Sequence, residues 1–332
     1  PEQLEETAST VLHASLSRKL QAAREAKDNL RQKMWLIALG DVHLENEDYE
    51  AALQHHNEAL LLDTKNAEVF AHRGVTYHSM GQYEAALADF DHAVDLDENL
   101  SLAFGSRGET HRLLENYEAA LADFDHAIEL DEEYAWAFAH RGLTYRLMEN
   151  YEAALADFDH ALELDEEYAW ALAHRGLTYR LMENYEAALA DFDHARELDE
   201  KYVWAFAYRG LIYRLLENYE AALADFNRAI DLNEEYTWAF AHRGITYRLM
   251  ENYEAALADF NRAIDLNEEY TWAFAHRGIT YRLMENYEAA LADFNRAIEL
   301  DEEYAWAFAH RGLTYRLLEN YEAALADFNR AI

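Results

Sequence analysis

Glycine recurs at Gly40, Gly74, Gly108, Gly142, Gly176, Gly210, Gly244, Gly278 and Gly312, and every consecutive pair is 34 residues apart. A fixed period of this size restricts the chain to stacked supersecondary units, none of which can bury its apolar face alone. With each glycine at position 8, the units are 33–66, 67–100, 101–134, 135–168, 169–202, 203–236, 237–270, 271–304 and a shorter 305–332. The copies are close to identical. Units 237–270 and 271–304 differ only where Asp265 becomes Glu299 and Asn267 becomes Asp301.

Each unit reads as two helices. In unit 135–168, Tyr151, Ala154, Leu155, Phe158, Ala161 and Leu162 recur on one helical stripe. Asn150 suits an N-cap for this second helix, and Glu152 suits its first turn. Ahead of Tyr134-Ala135-Trp136, Asp131 with Glu132 and Glu133 reads as the cap and acidic first turn of the first helix. A mid-helix glycine costs about 1 kcal/mol against Ala, so Gly142, facing the small Ala154 and Ala161, points to close approach of the paired helices. Before the register begins, Leu4, Ala8, Val11, Leu12, Leu16, Leu20 and Ala23 keep a helical stripe, so residues 1–32 are expected to cap the first unit. At the other end Leu325 and Phe328 lack the following neighbour that earlier copies have, which leaves end-to-end self-association open. The chain starts at Pro1 and its last unit is short, so it reads as an excerpt of a longer protein.

These positions carry a resemblance. An aromatic at position 4 (Phe138), Gly142 at 8, Tyr145 at 11, Ala154 at 20, Phe158 at 24 and Ala161 at 27 resemble the tetratricopeptide repeat, in register over residues 33–332. The resemblance implies an all-α solenoid of antiparallel hairpins wound in a right-handed superhelix, with first helices on the concave wall. It departs from the family at position 7, which is Arg (Arg73, Arg107, Arg141 and onward), and at position 32, where Glu or Thr replaces the frequent proline. The position-7 arginines point to the helix interface, where a charge needs a partner, and Asp157 is the candidate for Arg141. The first unit carries His43 and His56 where later units have Tyr and Phe, which suggests a worn end repeat.

Composition narrows the function. Against 65 acidic residues stand 28 Lys and Arg, a formal charge of −37, so nucleic acid and anionic membrane are not expected partners. There is no cysteine, and no long apolar run or signal-peptide pattern is visible, so the expected location is cytoplasmic. No phosphate loop, nucleophile elbow or paired zinc-ligand motif occurs, so neither catalysis nor a cofactor is expected. Acidity also falls along the chain as Asp-His gives way to Asn-Arg on the second helices, from Asp159-His160 to Asn261-Arg262.

The resemblance then selects a groove. On the first helix, positions 2, 5, 6, 9, 12 and 13 share a face, which in unit 135–168 is Trp136, Ala139, His140, Leu143, Arg146 and Leu147. The expected partner-binding set is Trp136, His140, Leu143, Arg146, Trp170, His174, Leu177, Arg180, Trp204, Tyr208, Arg214, Trp238, Arg248, Trp272, Arg282, Trp306 and Arg316. An extended peptide or partner segment would lie there, its acidic groups paired with the arginines of the column Arg112 to Arg316, as the sensing or recruiting part of a larger regulatory protein. The bland alternatives are that each arginine pairs with the glutamate three residues on, Arg146 with Glu149, and that the tryptophans only pack between repeats. A self-assembling structural solenoid is the competing function. One family subclass grips a C-terminal carboxylate with Lys and Asn, but here those positions are Ala139 and Leu143. The ladder His72, His140, His174, His242, His276 and His310 is spaced one hairpin apart, too far for neighbours to share a metal ion, and His55-His56 adds no better site, so no metal is expected.

Overall fold

The computed structural model describes residues 2–332, with side chains from residue 9 onward. Among these residues there are only helices, arranged in two compact units. The first unit contains α1 (Glu2–Glu25), α2 (Asn29–Glu45), α3 (Tyr49–Leu62), α4 (Ala67–Ser79), α5 (Tyr83–Leu96), α6 (Ser101–Leu113), α7 (Tyr117–Leu130), α8 (Ala135–Leu147) and α9 (Tyr151–Leu164). The second contains α10 (Ala169–Leu181), α11 (Tyr185–Leu198), α12 (Val203–Leu215), α13 (Tyr219–Leu232), α14 (Thr237–Leu249), α15 (Tyr253–Leu266), α16 (Thr271–Leu283), α17 (Tyr287–Leu300), α18 (Ala305–Leu317) and α19 (Tyr321–Arg330). After α1, even-numbered helices are the first helices of hairpins and odd-numbered ones the second, so each unit is a stack of antiparallel pairs in an α-solenoid.

The connection inside a hairpin is three residues long and fully bonded. At the end of α8 the Glu149 amide donates to the Arg146 carbonyl (3.0 Å) and the Asn150 amide to that of Tyr145 (2.9 Å), the paired bonds of a Schellman ending. This ending needs a left-handed residue, and Glu149 supplies it at φ 61°; Glu183, Glu217, Glu251, Glu285 and Glu319 do the same in later hairpins. Gly81, at φ 71°, is the one copy with glycine there. A non-glycine residue in this conformation stores on the order of 1 kcal/mol, offset by two carbonyls satisfied and by immediate entry into the next helix. Asn150 then caps α9, its Oδ1 accepting from the Ala153 amide at 3.4 Å, as its sequence position predicts.

The first-helix start differs from the sequence expectation. α8 begins at Ala135, and Asp131 terminates α7 with its Oδ1 accepting the Glu133 amide at 3.1 Å. Asp131, Glu132 and Glu133 therefore form the turn between hairpins rather than a cap and first turn. This carboxylate-to-amide turn does the work of the missing proline: it ends one helix by occupying the amide that would extend it.

Packing within a hairpin rests on position 24. Phe158, Phe192, Phe226, Phe260 and Phe294 are fully buried, a contribution of roughly 1.5–3 kcal/mol each. The position-8 glycine makes room for the ring: a Cβ on Gly74 would lie 2.6 Å from Phe90, and one on Gly142 would press on Ala154, Asp157 and Phe158. Between hairpins of the second unit, Phe206, Ile230, Phe240, Ile264, Phe274, Ile298 and Phe308 form one continuous core with the intervening alanines.

The position-7 arginine ties both levels together. Arg243 donates from Nε and Nη2 to the two oxygens of Asp259 (2.8 and 2.6 Å) and from Nη1 to Asn227 of the preceding hairpin (2.7 Å), with its guanidinium over the Phe240 ring. Arg141 makes the expected bond to Asp157 and adds one to Asp125. The same contacts explain the change from Asp-His to Asn-Arg: position 25 stays an acceptor for the next arginine, and position 26 stays over the position-4 ring, as His160 on Phe138 or Arg262 on Phe240.

At the start of the chain, Leu16, Leu20 and Ala23 of α1 are buried, the first two in a core with Leu36, Leu39 and Val42 of α2. Val11 and Leu12 are exposed, and the side chains of Leu4 and Ala8 lie outside the described residues. α2 starts at Asn29, capped by Asp28, inside the segment assigned by sequence to the cap. At the other end, Leu325 is 62% exposed. No described helix is long and apolar enough to cross a membrane. The clasp yields a test: Asp259→Ala, which leaves Arg243 buried without its carboxylate, should lower stability by about 3 kcal/mol in urea denaturation, and a loss below about 1 kcal/mol would show the clasp to be incidental.

Candidate functional site

Within each unit, first helices of successive hairpins touch one another while second helices do not. The first helices therefore form the inner wall, because the side of a curved stack where neighbours come closest is its inside. Along that wall, positions 2 and 12 line the surface, whereas positions 5, 6 and 9 are buried in several hairpins. Leu143 and Leu177, expected to bind a partner, are buried, as are His174, His242 and His276. Single-helix geometry placed them on an open face; hairpin stacking closes it.

The tryptophans pack between repeats and line the surface at once. Trp136, Trp170, Trp238, Trp272 and Trp306 are half-buried, and Trp204 is 45% exposed. Trp238 stands 3.8 Å from the His242 ring by centroids, His242 4.9 Å from Trp272, Trp272 4.0 Å from His276, and His276 4.7 Å from Trp306. Tyr208 takes the histidine place in α12, 5.2 Å from Trp238. The result is a continuous aromatic strip along α12 to α18.

Beside it runs a column of arginines at position 12. Arg180, Arg214, Arg248 and Arg282 are half-buried and Arg316 is exposed, and none of them forms an ion pair among the described residues. Arg180 Nε, Arg214 Nε, Arg248 Nη1 and Arg282 Nε are buried with no hydrogen-bond partner. The glutamate three residues on is the left-handed residue of the Schellman turn, and for Arg180, Arg214, Arg248 and Arg282 the helical pair expected as the bland alternative is not found. Burial, together with the charges of Arg214 and Arg282, lowers the Arg248 pKa to about 10. It is still a cation at neutral pH, one whose lost hydration nothing on the protein replaces. In the first unit the same column differs: Arg112 is held by Glu109 (2.7 Å from Nε), which also bonds His140 Nδ1 at 2.9 Å. Arg146 is half-buried on α8 and has interactions of its own.

His242, His276 and His310 of the second unit are held neutral. Burial first, and then the neighbouring arginine charges, push His276 down to about 2 and His310 to about 4, and lower His242 strongly. Arg214 Nη2 donates to His242 Nδ1 at 3.3 Å, which requires a lone pair on that nitrogen.

Sequence reasoning missed one constellation. Asp41 of α2, His56 of α3 and His72 of α4 bring their donor atoms within 4.8 Å of one another. Burial opposes ionisation of Asp41, but the neighbouring His56 and His72, the latter hydrogen-bonded to it, hold its carboxyl at about 2. The available signal was that Asp41 and His56 depart from the repeat at positions that pack together.

The comparisons agree with this geometry. A profile of the tetratricopeptide repeat matches residues 67–100, 135–168, 203–236, 237–270 and 271–304; a second covers 103–134, 171–202 and 307–332, and a TPR repeat profile covers 40–81. The chain belongs to the tetratricopeptide repeat family. A tetratricopeptide repeat protein from Parabacteroides merdae is 22% identical, with a TM-score of 0.60 over 75% of this chain and 98% of that one, and shares the fold. YrrB, described as a TPR protein with an unusual peptide-binding site, is 30% identical over 55% of this chain and 95% of its own (TM-score 0.44). MamA is 25% identical over 49% and 95% (TM-score 0.43). No curated protein matches the chain. Tetratricopeptide repeat proteins are generally non-catalytic scaffolds, and the repeats of this chain make it a protein-interaction scaffold.

The neutral histidines make stability depend on pH. Their folded pKa values lie below the unfolded value of about 6.5, so the unfolded chain takes up protons first and stability falls as pH drops from about 6.5 toward 4. His276→Tyr, the exchange that α12 already carries at Tyr208, should make the loss of thermal midpoint between pH 7 and pH 4 shallower; an unchanged slope would place the acid sensitivity elsewhere.

Proposed function

We propose that the second unit holds an acidic peptide or partner segment along the inner wall of α10 to α18. The observation that carries this reading is the arginine column Arg180, Arg214, Arg248 and Arg282, whose buried N–H groups have no partner in a chain of net charge −37. Cations in such surroundings are normally neutralised from within, as the position-7 arginines are, and acidic side chains are abundant. Leaving one column unpaired favours a carboxylate supplied from outside, where each charge-assisted bond is stronger than in open water.

The aromatic strip gives the segment an apolar floor, and the near-identical hairpins give it repeated contacts, so a ligand with several spaced acidic groups gains by avidity. In this reading Trp238, Trp272, Trp306, Arg214, Arg248 and Arg282 form the working surface, while the buried Leu177 and His174 of α10 do not contact the ligand. A recruiting role is in keeping with this reading, the wall capturing a segment of a partner. The role we assign to α1 is that of an end cap, supported by Leu16 and Leu20 closing over α2.

A Glu-rich peptide titrated into the full chain should change tryptophan fluorescence to saturation, with affinity falling as salt rises. Replacing Arg248 and Arg282 together by Glu should weaken it at least about tenfold with helicity kept. Equal binding by that variant, or equal binding of a Lys-rich peptide, would remove the arginine column from the function.

A further inference from the structure

The first hairpin departs from the repeat at two places, Asp41 and His56, which meet the His72 ring in space. In hairpins such as 237–270 the residue at position 9, the ring at position 24 and the ring at position 6 of the following hairpin come together, as Ile245, Phe260 and His276 do, with the last two rings 6.2 Å apart. In the first hairpin the corresponding residues are Asp41, His56 and His72, and the His56 and His72 rings keep the same relation at 6.1 Å. Packing that elsewhere brings a leucine or isoleucine against a phenylalanine here brings together one carboxylate and two imidazoles.

His56 is the decisive member. It is fully buried, and its Nε2 has no hydrogen-bond partner. The Thr76 hydroxyl donates to the His72 carbonyl (3.1 Å), so its lone pair is left to accept from His56 Nδ1, 3.2 Å away. A neutral His56 then presents the lone pair of Nε2 to Asp41 Oδ1 at 3.6 Å, too long for a hydrogen bond and with electron pairs on both sides. His72 Nδ1 closes the set at 2.8 Å from the same oxygen. Gly40 gives the His56 ring its place, since a Cβ there would lie 2.2 Å from Nε2.

We propose that Asp41, His56 and His72 bind a divalent transition-metal ion of the zinc class. Ligand atoms around tetrahedral zinc, with bonds of about 2.0–2.1 Å, sit about 3.3 Å apart, and the separations of 2.8 and 3.6 Å bracket that value. Two imidazoles and one carboxylate are the donors of a three-ligand site that keeps its fourth position for water. Here Asp41 and His72 line an open cleft of about 660 Å³ between α2 and α4, which supplies that water and a route of entry. Thr76 is the outer partner that orients His56. Two cations on the cleft are neutralised: Lys33 pairs with Asp63 at 2.8 Å and Arg31 with Asp28 at 3.4 Å, and Glu68 faces the same space. The ion would join α2, α3 and α4, adding to the Arg73–Asn57 bond between the first two hairpins (2.7 Å) and giving the first hairpin, whose positions 7 and 23 are Leu39 and His55, an internal tie in place of the Arg–Asp clasp.

A second histidine group tests the assignment. The His13 ring meets His43 edge-on at 5.0 Å, and His43 stacks on His55 at 5.2 Å. Calorimetric titration of Zn²⁺ into the full, untagged chain should show one ion bound, with the thermal midpoint raised. His56→Phe and Asp41→Leu restore the residues of the other copies, and Asp41→Asn keeps the shape; each should lose affinity on the order of 100-fold with far-UV helicity retained. His43→Tyr, likewise a residue of the other copies, should bind as the parent does. Absence of binding to the parent, binding that survives His56→Phe, or binding that depends on His43 would overturn the assignment.

Discussion

Every hairpin after the first is held by one guanidinium. The position-7 arginine bonds two oxygens of a nearly buried aspartate in its own hairpin and, inside each unit, one acceptor in the hairpin before it, as Arg277 does with Asp293 and Asn261. A single planar group thus fixes both the angle within a pair and the step between pairs, and the fork geometry makes lysine a poor substitute. The pair keeps Arg209 charged, hydrogen bonding to Asp225 outweighing the burial that opposes it. The apolar core supplies most of the driving force, but alanine and phenylalanine surfaces tolerate sliding. The clasp does not, and it sets the register in which the inner-wall side chains line up.

That division explains what the sequence made legible. The 34-residue period, the helix pair, the Asn150 cap and the Arg141–Asp157 contact all follow from spacing or from the need of a charge for a partner, and all are found in the structure. The start of α8 was misread because Asp131 and the two glutamates satisfy the rules for a helix cap and for a turn equally, and the preceding helix claims Asp131. Leu143, Leu177 and His174 fit an open face only because a helical wheel treats one helix at a time; in the fold all three are buried. Val11 and Leu12 fit the apolar stripe of α1, yet they are exposed, and the core shared with α2 takes in Leu16 and Leu20 of its far half. His56 looked like wear in a terminal repeat, and only the fold brings it to Asp41 and His72.

Charge is distributed by the same architecture. The hairpin ends and second helices carry exposed acids such as Glu152, Glu220 and Glu254, which keep the stack soluble and repel other anions at long range. The inner wall inverts that sign over a short distance. Arg214, Arg248 and Arg282 stand close enough to lower the pKa of Arg248 and of the histidines beneath, so the column is already working against its own repulsion. Such an arrangement is destabilising by itself, and a bound carboxylate relieves it twice, by pairing and by neutralising the field felt by the next arginine.

The most direct measurement is a crystal structure of the chain with a bound Glu-rich peptide. Peptide carboxylates should lie within hydrogen-bond distance of Arg214, Arg248 and Arg282, with the peptide backbone running over Trp238, Trp272 and Trp306. A peptide seated on the second helices or at the end of the stack, with the arginine column still unpaired, would contradict the groove reading.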